Sequence, residues 1–298
     1  QATPVFHEAQ RRLADTTIAA PERLVAAELL LRHPDLKGEA IPFLAAGIAP
    51  QSALTFQQDC LRALQGSEDP RAGAALLERW SMAGASLRPA LLDAMLSRAD
   101  WTRPLAQALD AGGIAPTAFD AARRGRLLRH ADPAVRAVAE KAFGAGLRSP
   151  RADVVTKYRD ALQKTGEAGH GAAHYTRLCA TCHRRGDEGR DIGPDLKSVI
   201  QHPPEKLLVN ILDPNADVQP GFHAFQATLT GGEELYGIIA AETGNSVLLK
   251  LADGSVRTLL RSQIESLRGS DLSLMPEGLE AGLTSQDLAD LIAFLKTP

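Results

Sequence analysis

Residues 179–183 read Cys-Ala-Thr-Cys-His, and no other stretch so restricts what the chain around it can be. At this spacing two thiols can add across the vinyl groups of a haem, while the next imidazole turns in to ligate the iron. One helical turn presents both sulfurs to the same porphyrin edge. The run is short, and three other chemistries use pieces of it: a thioredoxin-like redox pair, half of a zinc site, or a plain disulfide. The surrounding sequence has to decide among them.

With 298 residues, 44% hydrophobic and 23% charged, the chain is long enough for two or three domains with cores of their own. A net charge of -3 argues against a nucleic-acid binder, which would carry a strongly basic domain. Division at Pro150 leaves +2 on the first part and -5 on the second. Of the three cysteines, two lie in the run, so a disulfide framework is excluded. Cys60, in a Leu/Ala-rich stretch, reads as a small buried apolar residue. No apolar run approaches the roughly 20 residues that span a bilayer, so no integral membrane segment is expected. Haem attachment to such a run normally takes place outside the cytoplasm, which predicts a periplasmic or otherwise exported protein. No basic-plus-apolar leader begins at Gln1, so a leader is expected to have been removed or the chain to belong to a longer one.

The pattern up to about Gly146 is helical, rich in Ala, Leu, Arg and Glu. Helices are predicted at 53–65, 71–80, 87–97, 101–110, 116–129 and 133–143, separated by Gly66, Gly84, Gly112-Gly113 and Asp132-Pro133. Leu-rich helices recur roughly 30–36 residues apart, the period of stacked helix pairs. The unit from His130 to Ala139, opened by Asp132-Pro133, resembles a HEAT repeat. Residues 1–149 are therefore expected to form a HEAT-like α-solenoid, with no catalytic constellation. A generic helical bundle is the plainer alternative.

Ser149-Pro150-Arg151 marks the expected boundary, and residues 150–298 form the second domain. A connector helix at 152–164 leads to a helix over 171–179 that delivers the Cys/His run. Gly171 and Tyr175 lie four apart on one face of it, and the last segment of the chain offers a partner. There Thr284 and Asp287 form a capping box before the apolar stripe Leu288, Leu291, Ile292 and Leu295. This resembles cytochromes c, where a small residue and an aromatic let the first helix cross closely against the last. Cytochromes c also carry a Gly-Pro-x-Leu segment beside the iron-ligating imidazole, matched here by Gly193-Pro194-Asp195-Leu196. The resemblance implies that the Pro194 carbonyl accepts the Nδ1–H of His183. It also implies a thioether as sixth ligand, for which Met275 before Pro276 is the natural choice. His170, His174, His202 and His223 are the rivals, and Met82 and Met95 read as core. A zinc site would need a second Cys/His pair, and a thioredoxin-like site a preceding strand; neither is present. One covalent haem c is the expected cofactor.

Between a helix at 204–212 and Met275 the periodicity changes. Strands are predicted at 222–230, 235–241, 246–251, 256–260 and 263–267, with turns at Gly231-Gly232, Thr243-Gly244-Asn245 and Asp253-Gly254. Five short strands suggest a small SH3- or Sm-like barrel inserted at 222–268. Its four Lys/Arg against five Asp/Glu argue against RNA binding and for a lid, spacer or docking module. The expected fold class is thus mainly α: a HEAT-like α-solenoid, then a class I-like cytochrome c domain with a small inserted β-barrel.

From Tyr175 to Leu295 the chain resembles the haem-binding Cys-x-x-Cys-His domain family abundant in Planctomycetes and Verrucomicrobia. The matching residues are Tyr175, Cys179, Cys182-His183, Ile192 to Leu196, Ile211-Leu212-Asp213-Pro214-Asn215, Gly237, Asp253-Gly254 and Ser273 to Leu279. Members often carry HEAT-like repeats before the haem domain; many also carry a propeller resembling sugar or sorbosone dehydrogenases, which this chain lacks. The resemblance implies periplasmic electron transfer with a redox partner protein such as a dehydrogenase. Arg184, Arg185 and Arg190 flank the run and would steer an acidic partner, or rim the site. The other readings are a haem enzyme, either a peroxidase with His223 as proton-transfer group or part of a sugar dehydrogenase, and a haem-based redox or gas sensor.

Overall fold

A computed structural model describes residues 4–67, 69–144, 151–219 and 221–298. The expected boundary at Ser149-Pro150 lies outside the described residues. The first half consists of α1 (Pro4–Ala14), α2 (Ala20–Leu30), α3 (Lys37–Gly47), α4 (Leu54–Gly66), α5 (Pro70–Glu78), α6 (Arg88–Leu96), α7 (Ala99–Asp110), α8 (Ala121–Leu128) and α9 (Pro133–Phe143). Local chemistry sets several starts. Asp69, Asp120 and Asp132 each accept a backbone N–H of the first turn, and Pro70 and Pro133 supply the preset φ just inside. The segment expected as one helix over 116–129 is broken at Phe119-Asp120: a 3-10 turn, Pro116–Ala118, precedes α8. Helices α3, α5, α7 and α9 lie side by side as one layer, with α4, α6 and α8 across from them. One apolar cluster runs through this half from Ala9 to Ala142, built mostly of Leu and Ala.

The second half opens with α10 (Ala152–Lys157) and a 3-10 turn, Arg159–Gln163, where one connector helix was expected. It continues with α11 (Ala168–Leu178), α12 (Pro204–Leu212) and the closing α13 (Ser285–Leu295). The Thr284/Asp287 capping box is formed in full. Helices α11 and α13 cross at Gly171, where a Cβ would stand 2.0 Å from the Asp290 carbonyl oxygen. Any side chain there would force the two helices apart.

Between α12 and α13 lie β1 (His223–Leu229), β2 (Glu234–Glu242), β3 (Ser246–Leu251), β4 (Val256–Leu260) and β5 (Ile264–Ser273). They correct the expected fold class. The strands form an open antiparallel sheet in the order β4-β3-β2-β1-β5, not a closed barrel, and the chain is mixed α and β rather than mainly α with a barrel insert. Closure needs a matched tilt and stagger around the ring. Here β5 continues past its expected end at Leu267 along β1, pairing Ser273 with His223, and so runs toward the Cys/His site instead of toward β4. Period-two patterning sets strands and turns but not the curvature that decides closure.

The sheet is fastened to the helical half. Arg88 of α6 lies between the rings of Trp80 and Phe225, 4.5 and 5.2 Å from their centroids. Arg261 donates to the Pro50 carbonyl at 3.0 Å and to Glu242, whose other oxygen accepts the Ser86 N–H. Among the described residues no helix is long and apolar enough to cross a membrane.

Candidate cofactor-attachment site

Helix α11 ends at Leu178, and the chain makes one more tight turn: Cys182 and His183 both donate their N–H to the Cys179 carbonyl, at 3.0 and 2.8 Å. That turn brings Cys179, Cys182 and His183 to the wall of one cavity of about 390 Å³. The turn is backed by Tyr175, fully buried, whose hydroxyl proton is shared between the carbonyls of His183 (3.0 Å) and Glu188 (3.1 Å). Gly189, at φ +88°, makes room for this: a Cβ would sit 2.0 Å from the His183 oxygen.

The segment after the run folds back over it. Ile192 and Gly193 donate to the Cys182 carbonyl, and Arg190 to that of Ala180. This places the Pro194 oxygen 2.8 Å from His183 Nδ1, the contact expected for that residue. A carbonyl only accepts, so Nδ1 carries the proton and Nε2 keeps its lone pair. Burial lowers the His183 pKa, and the bond to Pro194 offsets only part of that, so the ring is held neutral. A neutral imidazole of fixed tautomer, with one nitrogen engaged, is a ligand ready for a metal. Gly193 completes the cradle, since a Cβ there would lie 2.5 Å from the ring's Cε1.

Met275 follows the end of β5 and lines the same cavity, with apolar walls from Ile192, Leu207, Ile211, Phe222 and Leu295. None of the rival histidines lines it. His170 lies near Glu167 and Asp290, and His174 pairs with Asp287 at 3.2 Å. His223, the acid–base candidate of the peroxidase reading, lines a separate small cavity with Trp80 and Arg88. Among the described residues no three His, Cys, Asp or Glu side chains converge as a metal-ion cluster.

The site tests well against a haem. Two thiols and a free Nε2 share a largely apolar cavity, whose volume lies in the roughly 300–1,000 Å³ range of cofactor pockets. A thioether closes the donor set. Arg184 and Arg190 are exposed, as a rim would be; Arg185 instead lies over Phe294 and donates to Thr297.

Sequence reasoning missed what the sheet does here. Lys250 reaches Asp191 (2.9 Å), and Arg190 donates to the Asp253 carbonyl (2.6 Å), so the β3–β4 end of the sheet staples the loop after the Cys/His run. Gly254, at φ +85°, leaves space for the Arg190 guanidinium. Ile238 of β2 and Phe222 add to the cavity wall. Only the matched Asp253-Gly254 and Gly237 hinted at this, and neither pointed to a partner.

The thiols differ in environment. Burial pushes Cys179 up to about 12, with Cys182 adding to it; Cys182 is less deeply buried, and there burial raises the pKa while the Arg190 charge opposes it. In haem-free protein Cys182 is expected to be alkylated faster than Cys179, since only the thiolate attacks and Cys179 is the more deeply buried thiol. Arg190→Ala should slow Cys182. Peptide mapping after timed iodoacetamide treatment reads both, and equal rates would contradict the burial difference.

No protein-family model matches the chain, and no curated protein matches it either.

Proposed function

We propose that the protein carries one covalent haem c and transfers single electrons between partner proteins. In this reading Cys179 and Cys182 would form the thioethers, and His183 Nε2 and Met275 would ligate the iron. The observation that carries it is the His183–Pro194 bond, which leaves a neutral Nε2 in the cavity shared by both cysteines and Met275. When bound, the haem supplies one-electron chemistry at its iron.

The residues of the chain do the rest. Pro194 fixes the tautomer and direction of the His183 ring, Tyr175 anchors the His183 backbone carbonyl, and the walls of the cavity are largely apolar. Exposed Arg184 and Arg190 flank the attachment turn, Arg184 paired with Asp195 at 3.3 Å and Arg190 bonded to the Asp253 carbonyl, and any attraction they offer an acidic redox partner is one that salt weakens. The likeness to the haem-binding Cys-x-x-Cys-His domain family supports the same reading and an exported location. His223, away from the cavity, leaves the peroxidase alternative without its acid–base group.

The test is direct. Intact mass should equal the chain plus one haem, retained through acid–acetone extraction and lost in Cys179→Ala/Cys182→Ala. The reduced protein should show low-spin bands, and the ferric protein a weak red-end band abolished by Met275→Ala. A five-coordinate high-spin ferric spectrum in the unaltered protein would refute His/Met ligation, and loss of haem on extraction would refute attachment.

A further inference from the structure

We infer that Asn215 is a positioning residue that holds Met275 at the cavity, an inference resting on the reading of Met275 as a ligand. Asn215 follows Pro214, which is buried and forms part of the cavity wall. Asp213 ends α12 with its N–H on the Val209 carbonyl, and Ala216 donates back to Asp213, so this corner is a closed turn. From it the Asn215 amide reaches across to the segment that carries Met275. Its Oδ1 accepts the Ser273 N–H at 2.9 Å, and its Nδ2 donates to Glu277 at 2.7 Å.

Those two contacts fall on either side of Met275. Ser273 is the last residue of β5, and its hydroxyl accepts the Met275 N–H at 3.1 Å. Glu277 is anchored a second time, by Arg151 at 3.7 Å; Arg151 also binds Glu280 and the Leu212 carbonyl. Among the described residues, no other side chain from outside the segment hydrogen-bonds residues 273–276. A single amide therefore grips both ends of the loop, with the thioether between them.

The residue type follows from the two roles. An amide accepts from an N–H at its oxygen and donates to a carboxylate from its nitrogen at once. Aspartate could accept from Ser273 but would face Glu277 with like charge, and alanine removes both bonds. Without the grip the loop gains freedom, and Met275 competes less well with another ligand for the same place.

Ferric holoprotein titrated with imidazole reads this competition. Asn215→Ala should bind imidazole about ten- to hundredfold more tightly than the unaltered protein, the loss of two hydrogen bonds, one of them to a charged group. Asn215→Asp should be intermediate, and Glu277→Gln, which keeps an acceptor, close to unaltered. Amide exchange at Ser273 should quicken in Asn215→Ala, a readout that does not depend on the iron. Unchanged imidazole affinity and unchanged exchange in Asn215→Ala would overturn the inference. If Asn215→Ala fails to carry haem, Glu277→Ala applies the same test: a several-fold gain in imidazole affinity supports the grip, and none overturns it. If Met275→Ala leaves imidazole affinity unaltered, the ligand reading has failed, and Ser273 exchange alone decides whether the grip exists.

Discussion

Arg261→Ala is expected to lower the stability of the protein by about 3–5 kcal/mol, read from urea or thermal unfolding. The Arg261 and Glu242 side chains are only 3% and 1% exposed, with Nη2 and Oε1 3.0 Å apart. Arg261 also donates to Thr243 and Pro50, and Glu242 accepts from Ser86, so the pair joins the sheet to the helical half. Removing the guanidinium leaves a carboxylate buried against Gly84 and Ser86 without its counter-charge, which is what makes the loss large. The double variant Arg261→Met/Glu242→Leu should recover much of the loss, because no charge then remains to desolvate. A single variant with unchanged stability would show that the pair is solvated in solution.

On the proposed haem reading, Gly193→Ala is expected to abolish ligation by His183. The new Cβ would lie 2.5 Å from Cε1 and 2.8 Å from Nδ1 of His183, closer than side-chain carbons approach. Two escapes exist, and each breaks something. If the ring turns, the Nδ1–H bond to Pro194 is lost and Nε2 leaves its direction. If the backbone lifts, the Ile192 and Gly193 bonds to the Cys182 carbonyl go. The expected stability cost is about 1–3 kcal/mol, the usual range for overpacking. The larger effect is spectroscopic: loss of the low-spin ferric spectrum, or failure to mature with haem. Gly169→Ala is the control. It lies in α11 with open space around the new methyl and should be neutral or stabilising by about 0.5–1 kcal/mol. A low-spin spectrum in Gly193→Ala identical to that of the unaltered protein would remove the cradle from the account.

The elements that local signals specify were legible in advance. Asp132-Pro133 opens α9, Thr284 and Asp287 cap α13, and strands β3 and β4 match their predicted limits. Gly171 and Tyr175 could be placed on one helix face from their spacing of four, and Pro194 assigned to His183 through the resemblance of its segment to cytochromes c. Sheet closure was not legible. It depends on how far β5 runs along β1, and its extra residues, Arg268 to Ser273, lack the apolar alternation that marks a strand. Nor was the role of Asn215, which the family resemblance singled out but whose two partners lie 58 and 62 positions away.

The sequence by itself determined the chemistry offered: two thiols and an imidazole on one turn, a carbonyl for that imidazole, and a methionine far downstream. The thiols and imidazole are a matter of residue type and short spacing, which the covalent chain carries; the carbonyl and the methionine were expected from the resemblance to cytochromes c. Only the tertiary structure decided what shares a cavity. It brought Met275 to the wall that holds His183 and kept the other candidate histidines off it. It turned the β insertion into a staple for the attachment loop through Lys250 and Asp253. Those outcomes rest on pairings between residues distant in sequence, whose energies come from packing and desolvation and leave no periodic trace along the chain.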